Sequence, residues 1–294
     1  MSSIKSTNLD YEKNKIEKGM LYLVATPIGN LADLSERAIK VLSEVDFIAA
    51  EDTRNSLKLL SYLDISKPMV SYFEHNKRER GQIIADRLKN GESCALITDA
   101  GTPAISDPGE DIVALCAEQN IPVTSIPGAC AGIVALTLSG LPTGRFCFEG
   151  FLSANKGERR ERLLELENEK RTMIFHEAPH KLKATLEDMK NTFGGDRRIS
   201  LCRELTKKNE EVLRLTLASA VEYYENNAPR GEYVLIVEGS KKTKQNDNFF
   251  ENMTIEEHVN FYISSGLSKM DAIKAAAKER GMSKSELYAL LCKE

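Results

Sequence analysis

The sequence predicts an α/β protein: two α/β domains in tandem, followed by a small C-terminal helical module. Three observations predict it. Short β-rich apolar runs alternate with helical patterns from Met20 onward; the alternation breaks at Leu141-Pro142-Thr143-Gly144 and then resumes; and a polar, lysine-rich stretch, SKKTKQNDN, precedes three short helical patterns that carry their own caps. At 294 residues, 41% hydrophobic and 29% charged, the chain is long and apolar enough for two cores.

The elements follow in order. Residues 1–19 are polar, lack periodicity and read as a disordered tail. In the first domain, 20–141, the runs MLYLVA, DFIAAE, SCALIT and PVTSI are interleaved with LSERAIKVLSEV, PGEDIVALCAEQ and ACAGIVALTLSG. That order implies βαβ units and a mainly parallel sheet with functional loops at the carboxyl ends of its strands. The second domain, 145–239, repeats the alternation with FCFEGFL, the charged helix KGERRERLLELENE, TMIFHE, PHKLKATLEDMKNTF, ISLCREL and GEYVLIVEG. Residues 240–253 read as a linker. The module at 254–294 has a helix-turn-helix look: its helices open on Thr254, Ser268 and Ser283, two of them with an acid three positions on (Glu257, Asp271), and the first two end at Gly266 and Gly281.

Composition narrows the function classes. The cysteines at 94, 116, 130, 147, 202 and 292 form no C-x-x-C pair, so no metal site is expected and buried free thiols in a reducing compartment are the plain reading. No apolar run approaches the ~20 residues that span a bilayer, and the N-terminus lacks a secretory core, so a cytoplasmic protein without a membrane partner is expected. The net charge of -4 argues against indiscriminate nucleic-acid binding while leaving room for a local basic surface.

The densest signal is ITDAGTPAISDPG (97–109), a loop between a strand and a helix. Gly101 and Gly109 permit close backbone approach, and Pro103 and Pro108 hold the loop open. Asp99, first after the strand, is placed to accept hydrogen bonds from ligand hydroxyl or amino groups; the alternative is a tight crossover with Asp107 as an N-cap. Two further loops, VATPIGNLADLS and TSIPGACAGIV, end neighbouring strands, and none of the three is G-x-G-x-x-G or G-x-x-x-x-G-K-[ST]. Small residues at 128–131 admit a flat adenine or a thioether, although helix packing explains them as well.

The runs LYLVATPIGNLADLSERAIKVL, AAEDTRNSLKLL, TDAGTPAISDPGE, IPGACAGIVAL, FEGFL, FHEAPHKL and CRELTKKNEEV resemble the ribosomal RNA small subunit methyltransferase I family. The family belongs to the tetrapyrrole-methylase-like group of S-adenosylmethionine enzymes. The resemblance spans about Met20 to Gly239, continues into the C-terminal helices, and implies two α/β domains of the tetrapyrrole methylase type. It further implies 2'-O-methylation of a cytidine in the decoding region of 16S rRNA, carried in the small ribosomal subunit, by a homodimer with the cofactor folded in the cleft between domains. Carried over to this chain, the cofactor residues are Pro27, Asp99, Ala100, Gly101, Thr102, Cys130, Ala131, Phe175 and Leu205. Departures from the family pattern lie at Ser153-Ala154-Asn155 and in FHEAPHK, where FYEAPHR is usual.

Methyl transfer from a sulfonium needs alignment of the ribose hydroxyl and a place for its proton. The catalytic candidates are Glu51 and Asp52 in EDTR, and Glu177 and His180 in FHEAPH; capping and structural ion pairs are the competing explanations. For RNA the candidates are Arg54, His75, Asn76, Lys156, Arg159 and Arg160, against surface solvation and a solvated helix face. Two other functions share these features. A corrin or porphyrin C-methylase would have the same fold and cofactor, and a nucleic-acid-binding regulator would use the cleft as a ligand sensor. The balanced charge of the helical module, six Lys or Arg against six acids from Thr254 to Glu294, counts against the regulator.

Overall fold

A computed structural model describes residues 15–241, 250 and 253–291 of the chain. Residues through Ser240 make one compact unit and those from Lys241 a second. Of the expected tail, residues 1–14 lie outside the described residues, but the segment just before Met20 is packed: Ile16 joins the first core, and the Glu17 amide donates to the Tyr22 hydroxyl at 2.7 Å. Most of the expected linker, 242–249 and 251–252, also lies outside the described residues.

The first sheet has the strand order β3-β2-β4-β1-β5 and is parallel throughout. Its strands are β1 (Leu21–Val24), β2 (Phe47–Ala50), β3 (Met69–Ser71), β4 (Cys94–Ile97) and β5 (Val123–Ile126). The three inner strands, β2, β4 and β1, read as unbroken apolar runs because helices cover both faces: in β1, Tyr22 and Val24 enter one core, Leu21 and Leu23 the other. The covering helices are α1 (Glu36–Glu44), α2 (Thr53–Tyr62), α3 (Lys77–Lys89) and α4 (Gly109–Glu118). Capping starts the first two: Ser35 Oγ accepts from the Ala38 amide, and Asp52 accepts from the Arg54 amide.

The second sheet has the order β6-β7-β10-β8-β9 and, unlike the first, is mixed. Only β6 (Phe146–Phe151) and β7 (Thr172–Glu177) run parallel; β10 (Tyr233–Val237) is antiparallel to β7 and to β8 (Arg198–Arg203), and β8 is antiparallel to β9 (Glu211–Thr216). One face carries α6 (Lys156–Glu165), α7 (Leu182–Phe193) and α8 (Leu217–Asn226), with Met173, Phe175, Leu201 and Leu235 in the core beneath them. The other face, with Ile174, Cys202, Val234 and Ile236, is covered by α5 (Ala131–Leu138). Helix α5 arrives from β5, so the first half of the unit supplies the lid of the second half's sheet.

The second unit contains α9 (Ile255–Ser264), α10 (Lys269–Glu279) and α11 (Lys284–Leu291). All three expected caps form, and Glu286 also folds back on Ser283, giving the third helix the box read only for the first two. Its core is Val259, Ala272, Ile273, Ala276, Ala277 and Leu287. Among the described residues no helix is long and apolar enough to cross a membrane.

Candidate active site

In a parallel sheet every strand ends at the same edge, so the loops after β1, β2, β4 and β5 meet there. Here they are tied together. Thr26 and Gly101 exchange backbone hydrogen bonds at 2.9 and 3.1 Å, and the Thr102 hydroxyl donates to the Ala129 carbonyl at 2.8 Å. Gly101 takes φ +91°, a conformation that L side chains rarely adopt, while its built Cβ would already touch Ile28. Asp107 fastens the tip of the ITDAGTPAISDPG loop by accepting from the Ala104 and Gly109 amides at 2.9 and 2.7 Å.

Facing these loops is the exposed rim of the second sheet. The space between them is a cleft of about 400 Å³, lined on one side by Ile28, Glu51, Thr98, Ala100, Ile105 and Ala131, and on the other by Phe151, His176, Arg203, Leu205, Lys207 and Tyr233. At Gly29 the two walls come close: a built Cβ would lie 2.8 Å from the Leu205 carbonyl and 2.9 Å from Thr206 Oγ1. Of the six described non-glycine residues with positive φ, Ala104, Ser106, Glu204 and Thr206 stand on the loops around this cleft. Strain of about 1–3 kcal/mol per residue persists where surrounding structure enforces it, and such residues cluster at functional sites.

The walls differ in charge. Glu51 is half-buried on the first wall and accepts from the Thr98 hydroxyl at 3.1 Å. Burial pushes its carboxyl above the usual range, and the nearby carboxylates of Asp99, Asp107 and Asp52 add to the rise while Thr98 opposes it. The opposite wall carries Arg203 and Lys207, each matched by its own carboxylate, Glu211 at 2.6 Å and Glu204 at 2.9 Å. The acidic side therefore suits a ligand with positive charge near Glu51 and Asp99.

Most of the residues expected to hold a cofactor stand at this cleft or on its loops. Ala100, Ala131 and Leu205 line the cleft; Gly101 and Thr102 join its loops; Asp99 is exposed between the lining residues Thr98 and Ala100, 3.5 Å from the Asn55 amide nitrogen. Pro27 lies between the bridged Thr26 and Ile28, and Cys130 precedes α5 without a side-chain cap. Phe175 does not belong: it is fully buried on the opposite face of the second sheet.

The catalytic candidates separate in the same way. Only Glu51 reaches the cleft. Asp52 caps α2 and pairs with Arg54 at 3.1 Å, and Arg54's bonds hold its carboxyl below the usual range. Glu177 is 1% exposed; it accepts from the Thr185 hydroxyl at 2.5 Å and from the Ala178 amide at 2.8 Å, so it anchors the start of α7. His180 lies in a shallow surface hollow with Pro179, Lys183 and Pro229. The cleft residue between the two chosen positions is His176. Strands alternate faces, so a reading that selects Phe175 and Glu177 selects the core face.

Among the RNA candidates, Arg54, His75 and Lys156 are exposed. Asn76 is a turn fastener, accepting from the Phe73 amide at 2.8 Å and donating to the Ser71 carbonyl at 3.2 Å. Arg159 is buried and its guanidinium is spent on Asp188, at 2.9 and 2.7 Å; Arg160 also reaches Asp188, at 2.8 Å. That run of charge is a structural clamp between α6 and α7, so Arg159 has no free face for phosphate.

Residues 20–221 match the family Tetrapyrrole (Corrin/Porphyrin) Methylases. A ribosomal RNA small subunit methyltransferase I of Halalkalibacterium halodurans is 48% identical over 279 residues, covering 95% of this chain and 96% of its own length. One of Synechocystis is 45% identical, with 92% and 97% covered. Among solved structures, diphthine synthase shares the fold at a TM-score of 0.58 and 14% identity, over 75% of this chain and 90% of its own. Uroporphyrin-III C-methyltransferase from Thermus thermophilus, complexed with S-adenosylhomocysteine, does so at 0.52 and 16%, over 74% and 96%.

Proposed function

Because the chain belongs to the tetrapyrrole (corrin/porphyrin) methylases and, within them, to the ribosomal RNA small subunit methyltransferase I family, we propose that it methylates the 2'-oxygen of a cytidine in the decoding region of 16S rRNA. The observation that carries the reading is the cleft itself: three tied, small-residue loops and an acidic wall, facing a rim of the second sheet. Corrin and porphyrin methylases share this fold, but the relatives at 40–49% identity are named for ribosomal RNA.

The cleft fits S-adenosylmethionine, the cofactor of this family. Gly101 and the bridged backbone of Thr26 provide a surface free of side chains, Asp99 and Glu51 face a cation, and Leu205 and Ala131 offer apolar flanks. When bound, the cofactor supplies a methyl carbon activated by positive sulfur. The chain's own task is then to align the ribose hydroxyl and take its proton. Glu51 is the acceptor in this reading, since a carboxylate made more basic by burial takes a proton more readily than an exposed one. Arg54, His75 and Lys156 contribute phosphate contacts at the surface.

The same reading makes the protein a cytoplasmic homodimer. An apolar strip of Phe146 and Phe148 on the edge strand β6, with Ile133 of α5, is about 40% exposed at each residue and is the surface a second copy would cover. Sedimentation checks the dimer. The activity is tested with tritiated S-adenosylmethionine and small subunits lacking the modification, followed by mapping of the label. Ribose label on one decoding-region cytidine is the expected result; cofactor binding without transfer to RNA would refute the reading.

A further inference from the structure

The cleft wall formed by β6 and β7 has a feature that neither the cofactor bed nor Glu51 explains. Along β6, Phe146 and Phe148 pair with Thr172 and Ile174, but the register shifts between Phe148 and Gly150, so that Phe151, not Gly150, stands beside His176. Gly150, at φ +64°, makes the bulge possible. Without the extra residue, alternation would send Phe151 toward the helix-covered core where Cys147 and Leu152 pack. The bulge instead aims Phe151 into the cleft with 52% of its surface exposed.

His176 stands edge-on to both rings, with centroids 5.3 Å from Phe148 and 5.4 Å from Phe151. Its Nε2 is sealed from solvent against the first turn of α5 without a hydrogen-bond partner. Nε2 is thus turned to α5 and away from the cleft, and Nδ1, which is not sealed, is the nitrogen left to meet a ligand. Burial holds the ring's pKa below the usual histidine value, so it is neutral at pH 7 and carries both one donor and one acceptor. Lys181 Nζ lies 5.8 Å from the Phe151 centroid, bringing a cation to the same corner.

We propose that this Phe151–His176 corner is the seat of the target nucleobase, drawn out of the RNA stack, with Phe151 as the stacking face and His176 as the polar group that meets the base edge. The inference rests on the RNA-methylation reading above. An enzyme that methylates one ribose hydroxyl has to hold that nucleotide at its cleft, and an exposed aromatic ring is a sequence-tolerant platform for the base it carries. A neutral imidazole carries a donor and an acceptor with which to meet the hydrogen-bonding edge of a base.

The test uses the full chain, small subunits lacking the modification, and saturating S-adenosylmethionine. Phe151→Ala is expected to lower kcat/KM for subunits about tenfold or more, Phe151→Tyr to restore most of it, and cofactor affinity measured by calorimetry to change less than twofold. His176→Phe keeps the ring and removes both nitrogens; it is expected to narrow the preference for cytidine over uridine at the target position. Unchanged kcat/KM in Phe151→Ala would overturn the seat, as would a loss matched by weaker cofactor binding or by dissociation of a dimer in sedimentation. Failure of the unaltered chain to label RNA would instead refute the underlying function, and the seat with it.

Discussion

Removing the carboxylate of Asp188 strands a buried guanidinium, and the structure sets the scale of the damage. Asp188, on α7, is 4% exposed and accepts three charge-assisted bonds, two from Arg159 and one from Arg160. In Asp188→Ala the Arg159 side chain, itself 7% exposed, keeps only the carbonyls of Ser153 and Ala154, at 3.3 and 3.4 Å. An exposed pair would contribute about 0–1 kcal/mol, whereas breaking a buried pair from one side costs about 3–5 kcal/mol. Both partners here are buried, so the larger range applies. For a unit of this size each kcal/mol moves Tm by about 2–4 °C, which gives a drop of roughly 6–20 °C by circular dichroism of the full chain. Burial raises the Asp188 carboxyl, but Arg160 and Arg159 outweigh it and hold it below its ordinary 3.8. A depressed folded pKa gives stability present above the unfolded value and lost as pH falls through the folded one, so the gap between wild type and Asp188→Ala closes below about pH 4. Replacing the pair together, Arg159→Met with Asp188→Leu, recovers most of the loss, and Arg160→Ala alone costs within about 1 kcal/mol because it is half-exposed. A drop in Asp188→Ala no larger than that of Arg160→Ala would refute the buried-clamp account.

Three further outcomes follow from the same geometry. Glu51→Gln is expected to slow single-turnover transfer about 10²-fold or more with cofactor affinity retained. In the unaltered chain the rate falls as pH drops through the raised Glu51 pKa, and persistence of that acid limb in the variant would exclude Glu51 as its source. Gly29→Ala presses a Cβ against the Leu205 carbonyl, which cannot move as the Lys207 side chain can; cofactor affinity is expected to fall about tenfold with little change in Tm, as read by calorimetry. In the helical unit, His258 is buried, stacked on Phe250, and bonded through Nε2 to Glu279 at 3.0 Å and through Nδ1 to Arg280 at 3.1 Å. Burial holds its pKa below 6.5 despite Glu279, so the unfolded state binds the proton more readily and the unit loses stability as pH falls below about 6.5. Amide exchange across residues 255–291 should slow less from pH 7 to 5 than the intrinsic chemical rate does, because protection falls, and a change equal to the intrinsic one would refute the linkage.

What was legible in the sequence follows the strength of its physical signals. β1, β2 and β4 are buried on both faces, so they appear as apolar runs bounded by loops. β3 is three residues long and only half-buried, and β9 is likewise half-buried along most of its length, with Arg214 interrupting its apolar residues; neither has a long apolar run to announce it. Missing β9 hid the antiparallel character of the second sheet. The β8–β9 turn reaches left-handed backbone at Glu204 and Thr206 without glycine, which removes the usual turn signature. In the loop after β4 the reverse holds: Gly101, Pro103 and Pro108 have few uses besides shaping a loop, so composition alone marked the segment that lines the cleft.

The site residues that the sequence misassigned share one cause: a one-dimensional pattern does not state which face is which. FHEAPH carries three polar groups that are equally plausible as chemistry, and only the pairing of β7 with β10 and the cover of α5 decide that 174 and 176 share the α5-covered face, where 176 reaches the cleft, while 173, 175 and 177 face the opposite core. The bulge at Gly150 compounds this, because it breaks the alternation that would otherwise have excluded Phe151. Arg159 failed for want of its partner, since a basic run reads as surface until Asp188, 29 positions later, is brought beneath it. Glu51 lines the cleft for local reasons: it follows β2 at the carboxyl edge of the first sheet, where the loops meet, and its neighbours in sequence and across the sheet are acids. The division is thus one of range. Backbone-shaping residues declare a loop within a dozen positions, whereas the side chains opposite it depend on register between segments that lie 25 to 60 residues apart, as Phe151 and His176 do, or Phe175 and Leu235.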